Sequence, residues 1–227
     1  MSYRNAQVAL RVGGSLSLVG FPLLFMLVFL LHMESFSEVL QFRLTHEPYV
    51  ASEIMDGLID RPRSWRYYLL PHLVGYISMP FLIAAALCLG YILFESRPWT
   101  AIVGTTMSCI GAVFMGGMLA MWLSFDAIGN VAPSDVAGAI PALEELIAMQ
   151  GPLLLSTVLT GLSLLGLMVL SIGLFLSRVV PRWAAAAILL GSLMMSIFID
   201  VDNLMLAGAL ITLAGMVPIA WRFAFDR

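Results

Sequence analysis

The feature that most constrains this chain is a series of six apolar stretches, each long enough, or nearly long enough, to cross a bilayer. A helix needs about 20 apolar residues to span the hydrocarbon core. The stretches do not alternate between polar and apolar residues, so they predict membrane helices and not the strands of a barrel. They cover roughly residues 12–33, 68–94, 100–125, 152–177, 183–200 and 203–221.

The composition also favours a membrane protein. Of the 227 residues, 61% are hydrophobic and only 11% are charged, against about 25% charged residues in soluble domains. Residues 1–227 are therefore predicted to form a single, all-α integral membrane domain. The first apolar stretch is too long for a signal-peptide core, and the segment HMESFSE after it offers no small-residue cleavage site. We therefore expect an uncleaved first span.

The distribution of arginine predicts the orientation. With a cytoplasmic N-terminus, the inner segments hold seven arginines against two carboxylates, and the outer segments hold four arginines against twelve carboxylates. Cytoplasmic loops carry the excess of basic residues, so six spans with both termini inside are predicted. No nucleic-acid partner is implied. The expected partners are the lipid bilayer and a second membrane protein or a second copy of the chain.

Two residue types exclude further classes of protein. All eleven basic residues are arginine, and a retinal protein needs a lysine for its Schiff base, so a rhodopsin is excluded. The cysteines Cys88 and Cys109 both fall within apolar stretches, where they predict buried thiols and not a disulfide framework or a metal site.

Two longer segments, 34–67 and 126–151, are predicted to lie outside and to form a cap. In the first, Val50, Ile54 and Leu58 recur at helical spacing between polar residues, which predicts a short amphipathic helix on the membrane surface. In the second, IPALEELIAM predicts another short helix that begins near Pro141. Such helices either seal the ends of the spans or cover an outward-facing pocket.

Polar side chains able to bind a ligand are predicted to lie near the outer interface. The stretch Asp200-Val201-Asp202-Asn203 fits a turn between two spans, because Asp and Asn bond their own backbone in turns. Alternatively, one of its carboxylates joins His72 or Asp126 around a ligand. A further histidine, His46, falls in the first outer loop. The candidate ligand-binding set is His32, His72, Tyr76, Asp126, Asp200 and Asp202.

Several kinds of chemistry are conceivable for this set. His32, His72 and Asp126 carry donors that suit zinc, iron or copper, although no H-E-x-x-H pattern is present. His72, with Tyr76 one turn below it, is also a candidate haem or chlorophyll ligand. No specific motif implies a cofactor.

A catalytic or ion-coupled role is less favoured. No serine lies in a G-x-S-x-G context, so no catalytic residue is assigned. The span centres are nearly bare of charge, which counts against an ion-coupled carrier. We therefore predict a non-catalytic accessory, sensory or ligand-binding membrane protein with an outward-facing polar site. The alternative is a small transporter or a metal- or cofactor-binding protein that uses the same cluster.

Glycine placement adds one resemblance. Gly111, Gly116 and Gly117, and later Gly161, Gly166 and Gly173, predict close helix packing. With the segments ALRVGGSLSLVGFPLL, YYLLPHLVGYI, GAVFMGGMLAMWLSF and GPLLLSTVLTGLSLLGLMVLSIGLFLSRVVPRW, the chain resembles a family of uncharacterised six-helix proteins of the bacterial inner membrane. The resemblance implies a bacterial cytoplasmic membrane location and a six-helix bundle, and it implies no activity.

Overall fold

The computed structural model describes residues 3–33, 50–60, 64–130, 135–199 and 201–225; the side chains of residues 3–6 and of Asp126 lie outside the description. These residues are 90% helical and include no strands, so the all-α prediction is confirmed. The helices are α1 (Tyr3–His32), α2 (Ala51–Ile59), a π-helical segment (Ser64–Leu69), α3 (Leu70–Phe94), α4 (Pro98–Gly129), α5 (Val136–Ile147), α6 (Pro152–Thr160), α7 (Leu162–Ser177), α8 (Arg182–Ile197) and α9 (Asp202–Phe225).

Most of the predicted spans are long apolar helices. Five helical stretches of the described chain are long and apolar enough to cross a membrane. They are Gln7–His32, Ser64–Phe94, Pro98–Gly129, Pro152–Ser177 and Asp202–Phe225. These helices also expose large apolar side chains, such as Leu87 and Val113, as surfaces that contact lipid do.

The predicted span 183–200 is shorter than the others. It forms α8, which has 16 residues, or about 24 Å at a rise of 1.5 Å per residue. The hydrocarbon core is about 30 Å thick. That α8 crosses the membrane as a sixth span therefore stays a prediction.

The six apolar helices pack in a closed ring. From α1 the ring runs through α3, α4, the α6–α7 pair and α8 to α9, each packed against the next, and α9 closes the ring by packing against α1. Helix α3 also touches α7 across the ring. The buried core includes Phe21, Leu82, Leu89, Leu167, Leu170, Ile188 and Met216. This closure of the ring brings the end of α1 next to the start of α9.

Close backbone packing occurs at several of the predicted glycines. A Cβ atom on Gly111 would lie 1.9 Å from the backbone nitrogen of Ser163, and one on Gly166 would lie 2.3 Å from the backbone nitrogen of Ser108. The Ser108 hydroxyl donates to the Ser163 carbonyl at 3.1 Å, across the same α4–α7 interface. Gly117 instead faces open space, with nothing within 4 Å of an added Cβ.

One end of the ring carries a second, smaller core, which we call the capped end. Helix α2 packs there against α4 and against α5, and residues of all three helices form one apolar cluster. The 32 residues of α4 extend about 48 Å, which exceeds the hydrocarbon thickness, so α4 reaches from the ring into the cap. The buried residues of the cap are Ala51, Ile54, Met55, Leu58, Phe125 and Leu143.

Two local boundaries differ from the sequence expectations. The helix predicted to begin near Pro141 begins at Val136, and Pro141 lies in its second turn. Because proline has no N–H, the hydrogen bond from residue 141 to the Ala137 carbonyl is missing there. The stretch 152–177 is divided at Gly161 into α6 and α7. Both short cap helices lie within the predicted outer segments, and their position on a membrane surface stays a prediction.

Candidate functional site

Four of the packed helices bring polar or aromatic side chains together at the capped end. His32 is the last residue of α1, Asp202 is the first residue of α9, and His72 lies in the first turn of α3. Trp122 lies on α4, one turn before Phe125 of the cap core. We call His32, His72, Asp202 and Trp122 the histidine cluster. Its members are distant in the chain and meet because α1 packs against both α3 and α9.

A polar contact joins α1 to α9. The Nδ1 atom of His32 lies 3.4 Å from the Oδ1 atom of Asp202. The two side chains are 24% and 37% exposed, so water reaches the pair and screens it. The contact becomes an ion pair when the imidazole is protonated.

Aromatic contacts continue from this pair towards the cap. The ring centroids of His32 and His72 lie 5.2 Å apart, with the planes at 64°. His72 in turn stacks on Trp122, with 5.1 Å between centroids and 19° between planes. Trp122 packs against Phe125 at 4.7 Å. A continuous series of contacts therefore connects Asp202 with the core of the cap.

The hydrogen bonds indicate which imidazole nitrogens carry protons. Nδ1 of His72 contacts the carbonyl oxygen of Tyr68, one turn earlier. Because a carbonyl can only accept, this nitrogen must carry the proton, which leaves Nε2 as the acceptor in the neutral ring. The same reasoning places a proton on Nδ1 of His32, since the Asp202 carboxylate accepts. In each neutral ring Nε2 is then the nitrogen that can accept a hydrogen bond.

The structure brings together three of the six predicted ligand-binding residues: His32, His72 and Asp202. Asp126 lies on α4 one turn after Trp122, but its side chain is outside the described residues, as are Asp200 and His46. The contact of Asp202 is with His32, so the alternative interpretation, in which a carboxylate of residues 200–203 joins His72 or Asp126 around a ligand, stays a prediction. The turn interpretation fits in part, because Asp202 begins α9 and the Asn203 side chain accepts from the Leu204 amide at 2.9 Å.

Tyr76 occupies a different surface. It lies one turn beyond His72 on α3 and lines an open groove of about 570 Å³ between α3 and α4. The groove is mostly apolar, and Pro80, Val113 and Gly117 also contribute to its walls. Tyr76 is 47% exposed. It therefore belongs to a lipid-type surface, and its assignment to the ligand-binding set stays a prediction.

Trp122 is the member of the cluster that the sequence analysis missed. Indole rings near span ends are expected as interfacial anchors, and nothing in the stretch MWLSF distinguishes Trp122 from such an anchor. Its position four residues before Asp126, on the same helical face, is the signal that could have identified it.

The predicted metal site is only partly described. Among the residues whose side chains the structure describes, no group of three or more His, Cys, Asp or Glu side chains has an arrangement that could hold a metal ion. The predicted set of His32, His72 and Asp126 includes one side chain outside that description, so this site stays a prediction. Cys88 is a buried free thiol, and Cys109 is a partly buried one.

The described helices are compatible with a multi-pass integral membrane protein whose apolar faces contact a bilayer. Comparison with known proteins adds no narrower assignment. No protein-family model, curated protein or solved structure matches this chain.

Proposed function

We propose that this chain is a non-catalytic membrane protein that binds a ligand or senses its presence at the histidine cluster. The observation that supports the proposal is the series of contacts from Asp202 through His32 and His72 to Trp122. Imidazole and carboxylate groups are costly to place near lipid, and in this cluster they converge from separate helices.

The proposed topology follows the arginine distribution. Both termini are cytoplasmic, α8 completes six spans, and the capped end faces the outside of a bacterial inner membrane. Arg97 and Arg178 lie in the short connections at the end opposite the cap, and Arg182 begins α8 there, as the positive-inside rule requires for this orientation. The histidine cluster then faces the outer compartment, beneath the cap.

The two Nε2 atoms define the class of ligand. In the neutral rings each accepts a hydrogen bond, so the cluster suits a proton or a small molecule that presents hydrogen-bond donors. The proton is the simplest such ligand, because histidine is the side chain whose charge ordinarily changes between about pH 5 and 8. The Asp202 carboxylate and the Trp122 ring face both attract a positive charge placed between them.

Binding at the cluster has a direct route to the cap. A positive charge gained at His32 changes the contact of its ring with His72, and His72 stacks on Trp122. Trp122 packs against Phe125, which is fully buried in the cap core. The cap also meets the end of α4 closely, since a Cβ on Gly129 would lie 2.8 Å from the Leu58 carbonyl oxygen. We propose that the cap transmits the state of the cluster to an accessory partner outside the membrane.

The fluorescence of Trp122 tests this function. In a variant that keeps only Trp122, with phenylalanine at Trp65, Trp99, Trp183 and Trp221, emission is followed from about pH 8 to pH 5. We expect a reversible change, because protonation at His32 alters the contact of its ring with His72, which stacks on the Trp122 indole. The His32→Phe change in the same background should abolish it.

A matched control separates the cluster from general effects of pH. Tyr91→Phe alters an aromatic residue at the opposite end of α3, where the ring packs against Phe223, and it should leave the transition unchanged. An emission that stays constant over this range, or a transition that survives His32→Phe, would contradict the proposed sensing role.

Metal binding is the second candidate function. Metal-ligating histidines usually donate the other ring N–H to a carbonyl or a carboxylate, and His72 and His32 have these partners in Tyr68 and Asp202. Calorimetric titration with Zn²⁺ tests it. Stoichiometric binding that is lost in both His32→Phe and Asp126→Asn supports the metal site, and binding unaffected by these changes excludes it.

A further inference from the structure

A second group of donor atoms lies away from the histidine cluster, between α4 and α6. Thr157 is an exposed residue of α6, and its hydroxyl oxygen lies 3.7 Å from the sulfur of Met118 on α4. The same oxygen lies 3.7 Å from the sulfur of Met149, which precedes α6. The two sulfur atoms are therefore no further apart than twice this distance.

The proton balance at this group is unusual. The Thr157 hydroxyl has one proton, and the Leu153 carbonyl oxygen, 2.9 Å away, is the nearest and strongest acceptor for it. A thioether sulfur has no proton to donate. The two sulfurs and the hydroxyl oxygen are three lone-pair donors that share a single proton, so the sulfurs receive at most weak hydrogen bonds.

Met149 lies where α5 ends. It follows the C-cap residue Ala148, and its left-handed φ of +49° is a common way for a helix to end. This turn brings the Met149 side chain beside Thr157 of α6. Because Thr157 is exposed and Met149 is only partly buried, the methionines are not simply filling space in a sealed core.

We propose that Met118, Met149 and Thr157 form a site for a soft monovalent cation, Cu(I), for which Ag(I) is the redox-inert analogue. Thioether ligands select Cu(I) over divalent ions that prefer imidazole or carboxylate. The two sulfurs are the principal ligands, and the hydroxyl oxygen is a weaker third one. The ion binds and leaves as Cu(I), so no electron is transferred.

Silver and copper titrations of the full-length protein in detergent, with any affinity tag removed, test the site. Ag(I) binding is measured by calorimetry, and Cu(I) binding by anaerobic competition with a chromophoric chelator. We expect one tight equivalent, weakened by about tenfold or more in Met118→Leu or Met149→Leu, at least as much as the loss of a supporting outer group costs a metal site. Leucine nearly conserves the volume of methionine, so both variants should fold.

The controls distinguish this site from the histidine cluster and from other methionines. Met205→Leu, on α9, and the pair His32→Phe and His72→Phe should all bind Ag(I) like the unaltered protein. The proposal is overturned if the unaltered protein binds neither ion, or if the double variant of Met118 and Met149 keeps the tight equivalent. It is also overturned if the histidine changes remove that equivalent, which would place the ion in the cluster.

Discussion

The α4–α7 interface allows a sharp prediction at Gly111. A Cβ on this residue would lie 1.9 Å from the Ser163 nitrogen and 2.6 Å from the Leu162 carbonyl carbon, both backbone atoms that cannot rotate away. Cβ atoms essentially never lie closer than 3.0 Å to another heavy atom. The two backbones must therefore move apart by about 1.1 Å at this point. Gly111→Ala should therefore open the interface.

The expected loss of stability follows from three contributions. Overpacking costs about 1–3 kcal/mol, near the upper limit here because backbone is involved. Losing the hydrogen bond from Ser108 to Ser163 costs about 0.6 kcal/mol, the average across membrane helices. The higher helix propensity of alanine than of glycine offsets about 1 kcal/mol of this loss. The net expectation is a destabilisation of about 2.5 kcal/mol.

Gly117, six residues along the same helix, provides the matched control. It faces open space, so Gly117→Ala should be neutral or should stabilise the fold by up to about 1 kcal/mol. Reversible unfolding in mixed detergent micelles, followed by circular dichroism, measures both variants. Alkylation of Cys109, a partly buried thiol on α4, reports local opening. Equal stability of the two variants would refute the packing described for this interface.

Three further predictions concern other parts of the fold. A double-mutant cycle of His32→Phe and Asp202→Asn, measured by unfolding at about pH 5.5, should give a coupling free energy of about 0.2–1 kcal/mol, because water reaches the pair. A coupling free energy well above this range would contradict the partial exposure of the two side chains. Leu58→Ala removes a fully buried side chain of the cap and should cost about 2–5 kcal/mol, seen as faster proteolysis near α2; unchanged cleavage would argue against the cap core. Arg178 has a left-handed φ of +62° at the end of α7. Arg178→Gly should therefore raise the free energy of unfolding by about 0.5–1 kcal/mol. A lower free energy of unfolding would contradict this conformation at the helix end.

The helices were predictable because lipid leaves the backbone few alternatives. Where a long apolar run occurs, as in residues 68–94, the chain must satisfy its own backbone hydrogen bonds, and α3 results. Close approach at Gly111 and Gly166 could likewise be expected, since small residues allow helices to meet. The sequence could not distinguish these positions from Gly117, which has the same local pattern but no helix opposite it.

The candidate site was predictable only in part. His32, His72 and Asp202 could be placed at a common depth from the span ends, but their contact depends on the closure of the ring between α1 and α9, which no local pattern encodes. Trp122 was missed for the same reason, because its stacking on His72 depends on how α3 and α4 are rotated about their axes. Likewise, the break at Gly161 separates α6 from α7 within an uninterrupted apolar run.

The most direct test of the proposed function is a nitrogen-detected NMR titration of the imidazole rings. The protein is labelled with ¹⁵N only in histidine, and the signals of His32 and His72 are assigned from the phenylalanine variants. At about pH 8 both rings should carry the proton on Nδ1, and lowering the pH to about 5 should protonate Nε2 of at least one ring and alter the signals of both. Rings protonated on Nε2 at the higher pH, or signals that do not change over this range, would contradict the account.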